Sequence, residues 1–172
     1  MCIVIRPEEV GDWPAIDEVN NLAFGQPNEG ELVRLLRKAS RFVPGLSLVA
    51  EVEGQVVGHI LFYPIDIRGS ERSVECLALA PMAVVPAHQN KGVGSQLVRD
   101  GLAAAGRLGF GSVVVIGHPA YYPRFGFSPA SKWGIRAPFD APDEALMALE
   151  LVAGSLVGSA GILVYPDEFL AV

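Results

Sequence analysis

The stretch that most constrains this chain runs from Ser73 to Ile116. An apolar run, Ser73 to Val85, leads through Pro86 into a turn punctuated by Gly92 and Gly94. A helical stripe of Val93, Leu97, Val98, Leu102, Ala105 and Leu108 follows and stops at Gly109. Ser112 to Ile116 is short and β-branched, the kind of strand buried on both faces of a sheet. Strand, helix and strand in this order predict a right-handed parallel crossover with Ser73 to Val85 as a central strand. Pro81 inside that strand predicts a bulge or a break in pairing.

The turn itself has a chemical consequence. A helix that opens there leaves backbone N–H groups without intrahelical partners at the positive end of its dipole, a seat for a phosphate or pyrophosphate. Gly92 and Gly94 let an anion approach the backbone with no Cβ in the way. Glycines before helices are also common for purely structural reasons, so spacing alone leaves both readings open. A dinucleotide fingerprint would need a third glycine where Leu97 stands, directly after a first strand. A P-loop needs its lysine after the glycines, and Lys91 precedes them.

The remaining elements follow from periodicity. Cys2 to Arg6 reads as a strand, and Glu8 to Phe24 as a helix with Pro14 in an early turn and Trp13, Ile16, Val19, Leu22 and Ala23 near one face. Asn28, with Glu31 three residues on, predicts a capped helix through Ser40. Leu46 to Val52 and Gln55 to Ile65 are strands around a Glu53-Gly54 hairpin turn. A turn near Gly69-Ser70 precedes the central strand. Pro119 to Phe125 is a short helix, Phe127 opens a proline-containing loop, and Glu144 to Val152 and Gly161 to Tyr165 are two final strands, taken as antiparallel.

Length and composition set limits. At 172 residues with half of them apolar, one domain spanning 1–172 with a sizeable core is the expectation. A formal net charge of −6 offers no footprint for nucleic acid and suits a cationic or amine-bearing substrate. Two cysteines, Cys2 and Cys76, make neither a disulfide framework nor a metal site and fit a reduced, cytoplasmic setting. No secretory leader and no membrane-spanning run is evident.

Two motifs carry a resemblance. Gln89-x-x-Gly92-x-Gly94, after an apolar strand ending in Val84-x-Pro86, is similar to the glycine signature of the GNAT superfamily of acyl-CoA-dependent N-acetyltransferases. Tyr122-Pro123-Arg124-Phe125-Gly126-Phe127 resembles that family's Tyr-x-x-x-Gly-Phe segment, one helix and one buried strand later. Gly117-His118-Pro119-x-Tyr121-Tyr122 and the Ala148-Leu149-Glu150-Leu151 strand resemble its bacterial YhbS-like branch. The resemblance implies an α/β fold: a mixed, mostly antiparallel, seven-stranded sheet splayed between strands 4 and 5 and flanked by about four helices. It implies acetyl-CoA as co-substrate, no metal, and an amine of a small molecule or peptide as acceptor. The pantetheine arm would lie along Met82, Ala83 and Val84, and the pyrophosphate on the N–H groups of Asn90, Lys91, Gly92, Val93, Gly94 and Ser95. Gln89 belongs to the same site, more as a brace of the turn than as a ligand contact. Lys91 either adds charge there or is a solvated side chain.

Direct acyl transfer needs no nucleophilic side chain, so Cys76 reads as a small buried hydrophobe. Tyr122 is the candidate general acid for the departing thiolate, against the alternative of an amphipathic packing residue. The base that deprotonates the amine stays open between Glu75, His118 and water. Phe24 to Asn28 and the loop between the last two strands are the expected specificity elements, with Asp66, Glu75 and Glu150 as candidate charges. A non-catalytic CoA-binding module is the alternative to an enzyme, and a homodimer through the C-terminal strands is left open.

Overall fold

The computed structural model describes residues 1–172. Its strands are β1 (Ile3–Pro7), β2 (Ser47–Val52), β3 (Gln55–Arg68), β4 (Ser73–Val84), β5 (Ser112–Ile116), β6 (Ser128–Pro129), β7 (Ile135–Arg136), β8 (Leu146–Glu150) and β9 (Gly161–Val164). The helices are α1 (Trp13–Phe24), α2 (Asn28–Lys38) and α3 (Val93–Arg107), with 3-10 turns between elements. The sheet runs β1-β2-β3-β4-β5-β8-β6, with β9 pairing β3 and β7. The chain divides into two compact units, Met1–Tyr63 with Ala80–Ala104 and Asp167–Val172, and Pro64–Leu79 with Ala105–Pro166. β3, β4 and α3 contribute residues to both.

In the first unit, β1 and β2 are antiparallel from Ile3↔Val52 to Pro7↔Leu48. The β2–β3 hairpin turns at Glu53 (φ 52°) and Gly54 (φ 76°), the left-handed pair that matches the twist of the flanking strands. Its register shifts between Ala50 and Glu51. Ile16 and Val19 of α1, Leu32, Val33 and Leu36 of α2 and Val93, Leu97 and Val98 of α3 are buried. Each such fully buried aliphatic side chain contributes about 1.5–3 kcal/mol relative to exposure. A polar chain crosses this core. Arg37 holds Glu8 (Nε to Oε2, 2.8 Å), Ser47 donates its hydroxyl to Glu8, and His59 Nε2 lies 2.9 Å from Ser47 Oγ. On the other side of the ring, Asn20 Nδ2 stands 3.4 Å from His59 Nδ1.

In the second unit, β4 runs parallel to β5 through Leu77↔Val113 and Ala78↔Val114. There the ladder stops, while β4 continues to Val84 and β5 to Ile116. β8 pairs β5 antiparallel from Ser112↔Glu150 to Ile116↔Leu146. β9 pairs β3 antiparallel through Asp66↔Val164 to Arg68↔Ile162. Val113, Val114, Val115, Met147, Ala148, Ile135 and Leu163 form the buried interior.

The α/β class, the crossover and the mixed sheet agree with expectation, and several details do not. Two extra strands of two residues each, β6 and β7, arise in the loop after Phe127, giving nine strands rather than seven. Three α-helices form rather than about four, because Tyr122–Phe125 is a single 3-10 turn. The first helix begins only at Trp13, after a separate 3-10 turn at Val10–Asp12, and of its expected stripe Ile16 and Val19 are buried while Trp13 and Leu22 are exposed. Asn28 is the first residue of α2, behind Pro27, and makes no side-chain cap. Leu108 lies beyond α3 and is exposed. β8 and β9 do not pair with each other; each joins a different strand. Pro81 follows a cis peptide bond. No helix is long and apolar enough to cross a membrane.

Candidate active site

β4 delivers the glycine turn. Met82 is half-buried and Ala83 and Val84 are buried; the chain then makes a 3-10 turn at Pro86–His88. The Gln89 side-chain amide reaches back and donates to the Val84 carbonyl (2.9 Å), tying the turn to the strand it leaves. Gln89, Asn90, Lys91 and Gly92 are all exposed. Asn90 (φ 61°) and Gly92 (φ 86°) both take left-handed conformations. An asparagine tolerates that region, and glycine does so at no steric cost.

The first intrahelical bond of α3 is donated by Gln96 to the Gly92 carbonyl (3.1 Å), which makes Gly92 the cap. The backbone N–H groups at the start of that helix lie at its N-terminal end, where the dipole is positive. Val93 is buried, while Gly94 and Ser95 are half-buried in the first turn. Gly94 is helical, so of the two glycines only Gly92 supplies a left-handed backbone. A Cβ built on Gly92 would meet nothing within 4 Å. Successive N–H groups around left-handed residues at a helix N-terminus form a concave anion seat.

Tyr122 opens the 3-10 turn after β5, in the second unit. The His118 carbonyl accepts from the N–H groups of Tyr121 (3.0 Å) and Tyr122 (3.4 Å), and Gly126 (φ 100°) ends the turn. Tyr122 is 8% exposed, and its ring has the centroids of Tyr121 at 5.1 Å, Phe127 at 5.7 Å and Phe125 at 6.3 Å. Tyr121 thus packs edge-on against Tyr122 rather than pointing away from it. Arg124 stacks on Tyr121 (4.4 Å to the centroid) and donates to its carbonyl. Burial pushes the Tyr122 phenol up to about 12, and Tyr121 adds to the effect.

The remaining candidates are dispersed. Glu75 is exposed on β4, and His118 is exposed after β5. Cys76 is buried. Glu150 accepts a hydrogen bond from the Leu156 N–H (2.9 Å), and Asp66 is half-buried on β3.

Two glycines to which the sequence assigned no packing role shape these elements. Gly58, inside β3, has Leu97 and Val93 of α3 at 3.0 and 3.1 Å from where its Cβ would stand. Gly117, directly after β5, has the Tyr122 ring at 2.4 Å from the same position. A glycine within a strand is a signal of close approach, and Gly58 was readable on that ground. Gly117 carried no such mark.

Comparison with known proteins gives the family. Residues 13–127 match the Acetyltransferase (GNAT) family. The uncharacterized N-acetyltransferase YjhQ of Escherichia coli K12 is 43% identical over 134 residues, 77% of this chain and 74% of that protein. The uncharacterized N-acetyltransferase YhbS of the same organism is 32% identical over 167 residues, 97% of this chain and 98% of that one. The crystal structure of E. coli YhbS in complex with CoA has a TM-score of 0.89, covering 98% of this chain and 92% of that chain. A GNAT family acetyltransferase from Brucella melitensis in complex with acetyl-CoA has a TM-score of 0.78 at 34% identity, covering 98% of each chain. In pattern, length and fold alike, this chain belongs to the GNAT family of N-acetyltransferases.

Proposed function

We propose that this chain transfers the acetyl group of acetyl-CoA directly to an amine of a small molecule or peptide. The observation that carries the reading is the turn between β4 and α3, with Asn90 and Gly92 left-handed and the helix opening at Val93. The pyrophosphate of CoA is the anion assigned to the N–H groups of residues 90–95. Support comes from the two relatives solved with CoA and acetyl-CoA. The pantetheine arm takes the place of an added strand along Met82, Ala83 and Val84, on a β4 that runs on past its last pairing with β5. Lys91, exposed beside the turn, adds charge, and Gln89 holds the turn closed through Val84.

The chemistry is a single acyl transfer. The amine lone pair attacks the thioester carbonyl carbon, a C–N bond forms, and the C–S bond breaks with its electron pair going to sulfur. One proton leaves the nitrogen and one ends on the thiolate. An alkyl ammonium of pKa about 10 must first lose its proton to water or a side chain. Tyr122, with its phenol near 12, stays protonated throughout. A thiol of pKa about 8.5 is the stronger acid, so handing it the phenolic proton outright is uphill by about 5 kcal/mol. The Tyr122 hydroxyl therefore serves as a hydrogen-bond donor to the developing thiolate, not as a source of a fully transferred proton.

The test is a titration with acetyl-CoA followed by thiol release over a panel of amines, peptides and amine-bearing antibiotics. Saturable binding with release dependent on one acceptor class is the expected result. Tight binding with no acetylation of any acceptor would sink the catalytic reading.

A further inference from the structure

We propose that Gly117 is a positioning residue for the Tyr122 hydroxyl, an inference that rests on the reading of Tyr122 given above. Gly117 directly follows β5 and donates its N–H to the Ala145 carbonyl (3.0 Å). Its φ lies outside the left-handed region, so its backbone conformation does not call for glycine. Conformation does not explain the glycine; space does. A Cβ at Gly117 would stand 2.4 Å from Tyr122 Cε2, 2.9 Å from Cδ2 and 3.4 Å from Cζ, the carbon that bears the hydroxyl.

The ring has little room to give way. Tyr121, Phe125 and Phe127 pack around it with centroids 5.1, 6.3 and 5.7 Å away. Restoring ordinary contact, about 3.4 Å, from 2.4 Å requires the ring to move by about 1 Å. A displacement of that size at a reacting centre can cost about a hundredfold in rate. Gly117 is therefore the backbone wall against which the phenol is set, and any side chain there moves the hydroxyl without removing it.

The experiment reads the hydroxyl through CoA itself, so it needs no knowledge of the acceptor. The pKa of the bound CoA thiol is followed by thiolate ultraviolet absorbance in the native protein, Gly117→Ala, Tyr122→Phe and the double variant. A hydrogen bond that favours the thiolate lowers that pKa. Tyr122→Phe and Gly117→Ala are each expected to raise it by about one unit, a tenfold change. The double variant is expected to rise no further than Tyr122→Phe alone. CoA affinity, measured with the thiol protonated, is expected to stay within about twofold in all four proteins, as one neutral hydrogen bond is worth little net.

An unshifted thiol in Gly117→Ala, or a double variant shifted by the sum of the two, overturns the role of Gly117. Tyr122→Phe shifting the thiol while Gly117→Ala does not leaves the Tyr122 reading standing and removes only Gly117. An unshifted thiol in Tyr122→Phe overturns both. Should Gly117→Ala fail to fold, the same change is made in a Tyr122→Leu background, where the smaller side chain leaves room for the methyl group. Folding there supports the ring contact as the reason for the glycine, and failure there as well refutes it.

Discussion

At the scale of single residues, the two glycines of the proposed site differ in kind. Gly92 is required by its backbone, at φ 86°, with empty space where a Cβ would be. Gly92→Ala should therefore cost only left-handed strain, about 1–2 kcal/mol, and place a methyl where an anion would approach. Gly109, at φ 89° and also with nothing within 4 Å, is the matched control at the far end of α3. Both alanine variants should melt at similarly reduced temperatures, and only Gly92→Ala should lose acetyl-CoA affinity, by about tenfold or more. Equal affinities in the two would remove the turn from CoA binding. For Tyr122→Phe, turnover should fall by about 10- to 100-fold on an accepted amine. With the phenol raised to about 12, its donor form persists at every lower pH, so Tyr122 adds no alkaline limb to the rate below about pH 10. A limb near 10 that disappears in Tyr122→Phe would contradict this. Tyr122 entered only through its resemblance to a family segment, whereas Gly92 was legible because local rules mark a glycine at a strand-to-helix turn. Gly117 was not, since its reason is a ring five residues away, brought back by a turn whose shape depends on His118 and Gly126.

At the scale of elements, the opening of α3 is seated by β3. A Cβ on Gly58 would lie 3.0 Å from Leu97 Cδ1, 3.1 Å from Val93 Cγ1 and 3.3 Å from the Ala50 Cβ. Gly58→Val forces those neighbours apart, an overpacking cost of about 1–3 kcal/mol. It should also weaken acetyl-CoA binding, because Val93 is the first residue of the helix whose N–H groups are assigned to the pyrophosphate. Gly106 gives the opposite case on the same helix. It is exposed, helical and meets nothing within 4 Å, so Gly106→Ala should gain about 1 kcal/mol of helix propensity. That gain corresponds to a melting-temperature rise of about 2–4 °C, with CoA affinity unchanged. Calorimetric titration and thermal melts of both variants check the pair; intact affinity in a destabilised Gly58→Val would break the link between helix seating and binding. The stripe of α3 was readable from period alone, through Val93, Leu97, Val98 and Ala105. The ends of elements were not. Asn28 had the residue type of a cap, yet the backbone places Pro27 there with no side-chain bond, because the chain entering α2 is set by the turn that ends α1 at Gly25.

At the scale of the whole molecule, period-two patterning identifies a half-buried strand without naming its neighbour. That is why β8 and β9 were readable as strands and not as partners of β5 and β3. The same limit hid the buried polar chain, whose members Glu8, Asn20, Arg37, Ser47 and His59 are scattered over the first third of the sequence. Their hydrogen bonds determine one arrangement of protons. The Ser47 hydroxyl gives its proton to Glu8, so its oxygen accepts from His59 Nε2–H, and Nδ1 is left to accept from Asn20. Protonating His59 would set a second N–H against an amide donor in a fully buried site. Burial, aided by the positive charge of Arg37, lowers the imidazole from 6.5 to about 3. The sign follows: below 6.5 the unfolded chain takes up a proton that the folded chain refuses until about 3. This contribution to stability is full above pH 6.5 and falls with acid at about 1.4 kcal/mol per unit, or about 3 kcal/mol by pH 4. Asp12, held below its ordinary 3.8 by Arg6, adds a further loss only in stronger acid. Melting temperature measured from pH 7 to 4.5 should therefore decline in the native chain. His59→Gln should start lower at pH 7 and decline far less, since glutamine keeps hydrogen-bonding capacity but cannot titrate. Parallel declines in the two proteins would move the acid sensitivity of the fold away from His59.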